Sequence, residues 1–179
     1  AHRYAVDSLQ IMATMVTQFD GRVWRTLGDG VLSTFPDPDR AFLAAIGMQQ
    51  KHRSGPVAIK VGFSHGHLIE DGGELFGDAA NLAARITALA RPGEILLSEE
   101  AVRALSDQNR GAVEMLISTL VKGKKKPVKI YRAIEKTDLQ ATQQISLELS
   151  QSSKMKVRTL VVSGADGMEI RLTHESEAI

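Results

Sequence analysis

Apolar positions recur at helical spacing from the start of the chain. Tyr4, Leu9, Ile11, Met12, Met15, Val16 and Phe19 predict an amphipathic helix over 2–19, stopped by Asp20-Gly21. Two runs of strand formers follow, at 23–27 and 31–35, joined by Gly28-Asp29-Gly30. Asp-Gly between alternating apolar runs predicts a tight β-hairpin, because glycine takes positive φ without penalty. Pro36-Asp37-Pro38-Asp39 then breaks the strand and opens a helix whose buried stripe is Ala41, Phe42, Ala45 and Met48. Residues 57–65 read as a strand that turns at Gly66 into another at 67–70, with Asp71-Gly72-Gly73 as a loop. A helix is predicted over 76–90 and ended by Arg91-Pro92-Gly93. A short strand at 94–97, a short helix at 99–105 and strands at 113–121 and 128–134 complete the pattern. Strands alternating with helices predict an α/β sandwich, helices packed against a sheet.

The hairpin places one carboxylate, Asp29, at the tip of a stiff ribbon. Such a carboxylate suits a hard cation such as Mg²⁺. The same aspartate also reads as an ordinary turn residue, favoured there for local reasons. On helix 76–90, Asn81 and Arg85 are four apart and share a face with Asp78, while Ala79, Leu82, Ala83, Ile86 and Ala90 take the opposite, core-facing side. Periodicity alone leaves a solvated polar stripe as an equal reading.

The blocks Arg-Thr-Leu-Gly-Asp-Gly at 25–30, Val-Gly-Phe-Ser-His-Gly at 61–66, Phe-Gly-Asp-x-x-Asn-x-Ala-Ala-Arg at 76–85, Pro-Gly-Glu-Ile at 92–95 and Leu-Val-Lys-Gly-Lys at 120–124 occur in order. Together they resemble the class III adenylate/guanylate cyclase catalytic domain over about residues 1–134. The resemblance implies a ferredoxin-like α/β core. It implies an intracellular signalling enzyme that converts ATP to 3′,5′-cyclic AMP and pyrophosphate, in the cytoplasm. The ribose 3′-hydroxyl attacks the α-phosphorus, so the protein's work is positioning and charge neutralisation. Two divalent cations, Mg²⁺ or Mn²⁺, serve such a reaction. The family holds them with two aspartates. Asp29 matches the one in the hairpin, and the other belongs to a first strand that would precede Ala1.

By the same resemblance, Asn81 orients the ribose and Arg85 stabilises the transition-state phosphate. Arg25 and Glu74 stand at the purine-reading positions, where ATP-using relatives carry lysine and aspartate. Their charges favour adenine over guanine, with ATP expected and GTP less so, but both side chains are longer than the usual ones. Lys60 and Lys122 stand where triphosphate oxygens are bound. The solvated-turn reading holds at least as well for Lys124, Lys125 and Lys126. His65 and His67 share one strand face, which would suit a metal pair, but histidine–glycine pairs are usual in this strand of the family and a structural role is expected. The family's site lies between two subunits, so a homodimer is implied.

Composition bounds the rest. The 179 residues, 43% hydrophobic and 24% charged, fit one core-forming domain with an appendage. A net charge of +1 makes no case for nucleic acid. No apolar run reaches the length of a membrane span. Cysteine is absent, which excludes disulfides and thiol catalysis. The chain begins at Ala1 within a helical pattern and reads as a fragment of a longer protein. Its domains are expected at 1–135 for the cyclase part, 136–153 for a Gln/Ser/Thr-rich linker, and 154–179 for the start of a second β domain. The strand-like runs 155–163 and 168–173 around Gly164-Ala165-Asp166-Gly167 resemble the opening hairpin of a forkhead-associated (FHA) domain, which implies a phosphopeptide partner. An arbitrary hairpin explains them equally. With the first strand missing, the fragment is expected to leave an unpaired ladder in mid-sheet and to be inactive alone. A degenerate cyclase-like regulatory or nucleotide-binding module is the rival reading. A diguanylate cyclase is disfavoured, since no Gly-Gly-(Asp/Glu)-Glu-Phe turn occurs.

Overall fold

A computed structural model describes residues 2–120, 125–134 and 158–165. Along the chain run α1 (His2–Gln18), β1 (Arg22–Leu27), β2 (Gly30–Phe35), α2 (Pro38–His52), β3 (Ile59–Gly66), β4 (Ile69–Asp71), β5 (Glu74–Phe76) and α3 (Asp78–Leu89). There follow β6 (Ile95–Ser98), α4 (Glu99–Ala104), α5 (Asp107–Arg110), β7 (Val113–Thr119), β8 (Val128–Ala133) and β9 (Arg158–Ala165). Seven strands form one sheet in the order β1-β2-β9-β3-β6-β8-β7, and β4 and β5 make a separate hairpin. Among the described strands only β3 and β6 pair in parallel, joined by the crossover that contains α3.

Strand alternation sorts the side chains onto two faces. Val31, Phe35, Ile59, Val61, Phe63, Ile95 and Leu97 turn to one face and pack with Met12, Val16, Phe42, Met48 and Val102 of α1, α2 and α4. Leu32, Leu96 and Ile130 turn to the other and meet α3 through Ala80, Ala83, Leu82 and Ile86. α1 and α2 are locked by a buried polar contact. His52 Nδ1 lies 2.7 Å from the Met48 carbonyl, which can only accept, so this nitrogen carries the hydrogen. The Ser8 hydroxyl then donates to His52 Nε2 at 2.8 Å. α2 starts where its proline motif predicts, with Asp37 as N-cap accepting from Arg40 N at 2.9 Å and Pro38 in the first turn.

Three local expectations shift. The hairpin turn is Gly28-Asp29 rather than Asp29-Gly30: Leu27 already pairs with Gly30, and Gly28 has φ 62°. α3 begins at Asp78, because residues 74–76 are drawn into β5, and of the expected loop 71–73 Asp71 ends β4 while Gly72-Gly73 make the turn to β5. A short helix, α5, follows Ser106, whose side chain accepts from Asn109 N.

Residues 158–165 form β9, which lies between β2 and β3 and is antiparallel to both. The expected linker 136–153 and the second run at 168–173 lie outside the described residues.

Candidate functional site

The α3 face of the sheet gathers most of the predicted residues. Arg25 pairs across the hairpin with Leu32, which packs on α3, so both belong to that face. There the Arg25 guanidinium meets the Glu74 carboxylate in a hydrogen-bonded ion pair. The two side chains come from strands 49 residues apart and are brought together here. Their side chains are 43% and 50% exposed, so water screens the pair and it adds little stability. On the same face Trp24, Leu27, Leu68 and Leu75 pack against Leu32, Ala80 and Ala83. Trp24 is fixed by its indole N–H, which donates to Thr34 Oγ1 at 2.8 Å. Sequence reading did not single out this apolar shelf, because it draws on four separate strands and turns.

Asp29 stands at the turn that opens β2. The register places it beside the start of β3: Val31 pairs with Ser163 and Ser163 with Val61, so Val31 and Val61 lie level across β9. Lys60, one residue before Val61, shares the α3 face with Gly62 and reaches the same end of the sheet as Asp29. Both are partly exposed.

α3 is launched by Gly77, whose φ of 135° excludes other residues; a Cβ there would lie 2.8 Å from the His67 carbonyl oxygen. This explains the glycine of the Phe-Gly-Asp motif. Ala79, Ala80, Leu82, Ala83, Ile86 and Thr87 are buried, while Asn81 and Arg85 remain partly exposed. The predicted stripe is therefore present, and it lies on the side of α3 turned away from the sheet. Asn81 and Arg85 are thus set apart from Asp29 and Lys60 within one chain. Lys122 and Lys124 lie outside the described residues; Lys125 and Lys126 are exposed.

Among the described residues no three His, Asp or Glu side chains converge on a metal position. Burial lowers the pKa of His65, and the neighbouring His67 lowers it further, against opposing pulls from Asp37 and Glu100. At the far side of the sheet Arg132 donates to Glu114 at 2.6 Å and to Glu94 at 3.4 Å, and these bonds raise its pKa.

A family model described as the adenylate and guanylate cyclase catalytic domain matches residues 40–135. That span includes Lys60, Glu74, Asn81 and Arg85. A protein of Rhizobium meliloti (strain 1021) named as an adenylate cyclase is 35% identical over 98 residues, 50% of this chain and 17% of its own length. The chain thus spans about a sixth of that relative. Among solved structures, an adenylate/guanylate cyclase/hydrolase from Silicibacter pomeroyi superposes with a TM-score of 0.61 at 26% identity, covering 70% of this chain and 79% of its own. A Trypanosoma brucei adenylate cyclase, solved in its monomeric state, gives 0.65 at 18% identity over 74% of this chain and 79% of its own; at that identity the likeness is one of fold.

Proposed function

Because the chain belongs to the adenylate and guanylate cyclase catalytic domain family, we propose that it provides half of each active site in a homodimeric adenylate cyclase, which closes ATP to 3′,5′-cyclic AMP and pyrophosphate. The observation that carries the choice of base is the Arg25–Glu74 contact. Adenine offers an acceptor at N1 and a donor at N6. A guanidinium has five N–H donors, so Arg25 can keep its bond to Glu74 while donating to N1. Glu74, a carboxylate with several lone pairs, accepts from N6 at the same time. Guanine presents a donor at N1 and an acceptor at O6, which opposes both groups. The extra length of Arg25 and Glu74 is taken up by their reaching one another.

Asp29 fits a Mg²⁺ or Mn²⁺ ion. It is a hard oxygen donor at an exposed turn, and Mg²⁺ is commonly held by one or two carboxylates with substrate phosphates completing its shell. Bound there, the ion would neutralise charge on the attacking and departing oxygens. Lys60 binds a triphosphate oxygen as a point charge from the same end of the sheet. Lys122 is assigned the same task on its motif alone. Asn81 holds the ribose and Arg85 the transition-state phosphate. Because these two lie on the outer side of α3, they serve the Asp29 of a second copy, and a symmetric dimer then contains two such sites.

The test is complementation between subunits. Asp29→Ala and Arg85→Ala chains, each in its native protein context, are expected to be nearly inactive with Mn²⁺ and ATP. Mixed, they should recover about one intact site per heterodimer. No recovery at any mixing ratio refutes the shared site. Arg25→Glu should reduce ATP turnover and raise GTP turnover; an unchanged ratio refutes the assignment of base reading. Nucleotide binding without cyclic product from either base would instead establish the regulatory-module reading.

A further inference from the structure

A one-residue bulge decides what β1 presents beside α3. Arg22 pairs with Thr34 and Val23 with Ser33, but the next pair is Arg25 with Leu32, so Trp24 is the extra residue. In an unbroken strand Arg25 would share the face of Val23, which packs with the core on the other side of the sheet. With the bulge, Trp24 packs with Leu32 on the α3 face, and Arg25 lies opposite Leu32. Arg22 joins them there: its Cζ lies 3.8 Å from the centre of the Trp24 ring. Thus β1 offers two cations and one indole to the same side.

Two carboxylates of the β4–β5 hairpin meet these cations. Arg22 Nη1 lies 3.6 Å from Glu70 Oε1, and Arg25 is paired with Glu74. Among the described strands neither β4 nor β5 pairs with the seven-stranded sheet, so side chains and the chain connections set where the hairpin leans. Leu68 and Leu75 give it an apolar footing beside Trp24. Such contacts are non-directional and leave the lean open. Glu70 pairs with Leu75, so both project from the same side of the hairpin, and the Glu70 contact with Arg22 supplies the missing direction. The indole beneath Arg22 is itself held by its N–H bond to Thr34 Oγ1. At the turn before Glu74, a Cβ on Gly72 or Gly73 would meet nothing within 4 Å.

We propose that Arg22 and Glu70 are positioning residues for base recognition: their ion pair, seated on the Trp24 ring, fixes the lean of the β4–β5 hairpin and so places Glu74 beside Arg25. The proposal rests on the reading of Arg25 and Glu74 as the base-reading pair, and it gives Arg22 and Glu70 no contact with the base. Their side chains are 61% and 42% exposed, so water screens the pair and its effect falls on placement rather than on stability. The test uses variants in the native protein context. Binding of 3′-deoxy-ATP and 3′-deoxy-GTP is measured with Mn²⁺, since these nucleotides lack the attacking hydroxyl and cannot be cyclised. Arg22→Gln and Glu70→Gln should each weaken 3′-deoxy-ATP binding about threefold, within the range of an exposed ion pair. Binding of 3′-deoxy-GTP should change less than 1.5-fold, roughly, because guanine gains nothing from the pair. The double variant Arg22→Gln/Glu70→Gln should be no worse than either single one, since the same contact is lost in all three. Arg22→Lys keeps the charge and should stay within about 1.5-fold of native. Binding of tripolyphosphate, which has no base, should not change, and melting temperatures should stay within about 2 °C of native.

An unchanged preference for the adenine nucleotide in both single variants overturns the proposal, as do single effects that multiply in the double variant. Equal weakening of tripolyphosphate marks general damage and overturns it too. Arg25→Gln separates the two readings. If it lowers the adenine preference while Arg22→Gln and Glu70→Gln leave it intact, base reading by Arg25 and Glu74 stands and the positioning role falls. If Arg25→Gln leaves the preference intact, or the native protein binds neither nucleotide, the base reading falls and the positioning role falls with it.

Discussion

Gly62 is the narrowest point between α3 and the sheet, and replacing it tests whether the packing seen there is what holds Asn81 and Arg85 in place. A Cβ on residue 62 would lie 2.4 Å from Thr87 Oγ1, 2.5 Å from Thr87 N and 2.8 Å from Thr87 Cα. Relief requires an opening of about 1 Å, because carbon contacts below about 3.5 Å are repulsive. Two of the three obstructing atoms are backbone, so a side-chain rotation cannot supply it. β3 cannot sink instead: Ile59, Val61 and Phe63 on its opposite face are fully buried against the other helices. Gly62→Ala must therefore lift α3. Overpacking of this kind costs about 1–3 kcal/mol, and the upper end applies where the clash is with backbone. At about 2–4 °C per kcal/mol for a chain of this size, the melting temperature should fall by roughly 6–12 °C. The assay is thermal unfolding followed by circular dichroism, with urea unfolding as a second measure. Gly28→Ala is the comparison. Its φ is 62° but nothing lies within 4 Å of a new Cβ, so only about 1–2 kcal/mol of backbone strain is expected. Adding Thr87→Ala to Gly62→Ala should not restore stability, since Thr87 N and Cα remain in the way. A Gly62→Ala protein melting within about 2 °C of native, or full rescue by Thr87→Ala, refutes the argument.

Three further outcomes follow from the same contacts. Ser8→Ala removes the hydroxyl that donates to the buried His52 Nε2 and should cost about 1–3 kcal/mol in urea unfolding; a loss below about 0.5 kcal/mol would show that water replaces the hydroxyl. Asp39 accepts from Ser106 N, Ser106 Oγ and Asn109 Nδ2, tying α2 to α5, so Asp39→Ala should destabilise by about 2 kcal/mol and speed amide exchange at 106–110 before exchange elsewhere; uniform exchange would contradict a local tie. His65 has a pKa lowered by burial and by His67, so the unfolded chain takes up a proton more readily than the folded one as pH falls below about 6.5. Its contribution to stability is therefore lost on acidification from that point, and His65→Gln should flatten the decline between pH 6.5 and 5; a slope identical to the native protein's would remove His65 from the account.

Several features are legible in the sequence because they are local or periodic. The amphipathic α1 and α3, the Asp37-capped α2 and the hairpin at 22–35 follow from spacing of apolar residues, a capping side chain and a glycine turn. The inward and outward sides of α3 were readable from Ala79, Leu82, Ala83 and Ile86 against Asn81 and Arg85. The ordered blocks between 25 and 124 carried the family resemblance, and the glycine of one of them, Gly77, is required by its backbone angle and by the approach of the His67 carbonyl. Tertiary structure alone decided other matters. Whether Glu74 sits in a loop or in β5 depends on its pairing partners at 69–71, and α3 starts two residues late for that reason. The Arg25–Glu74 contact joins residues whose proximity no local pattern encodes. The place of 158–165 is the clearest case. Its alternating apolar pattern says strand and nothing more, because the propensity of a strand is set by its own residues while its neighbours are set by whichever unpaired edges the rest of the chain presents. Here those edges belong to β2 and β3.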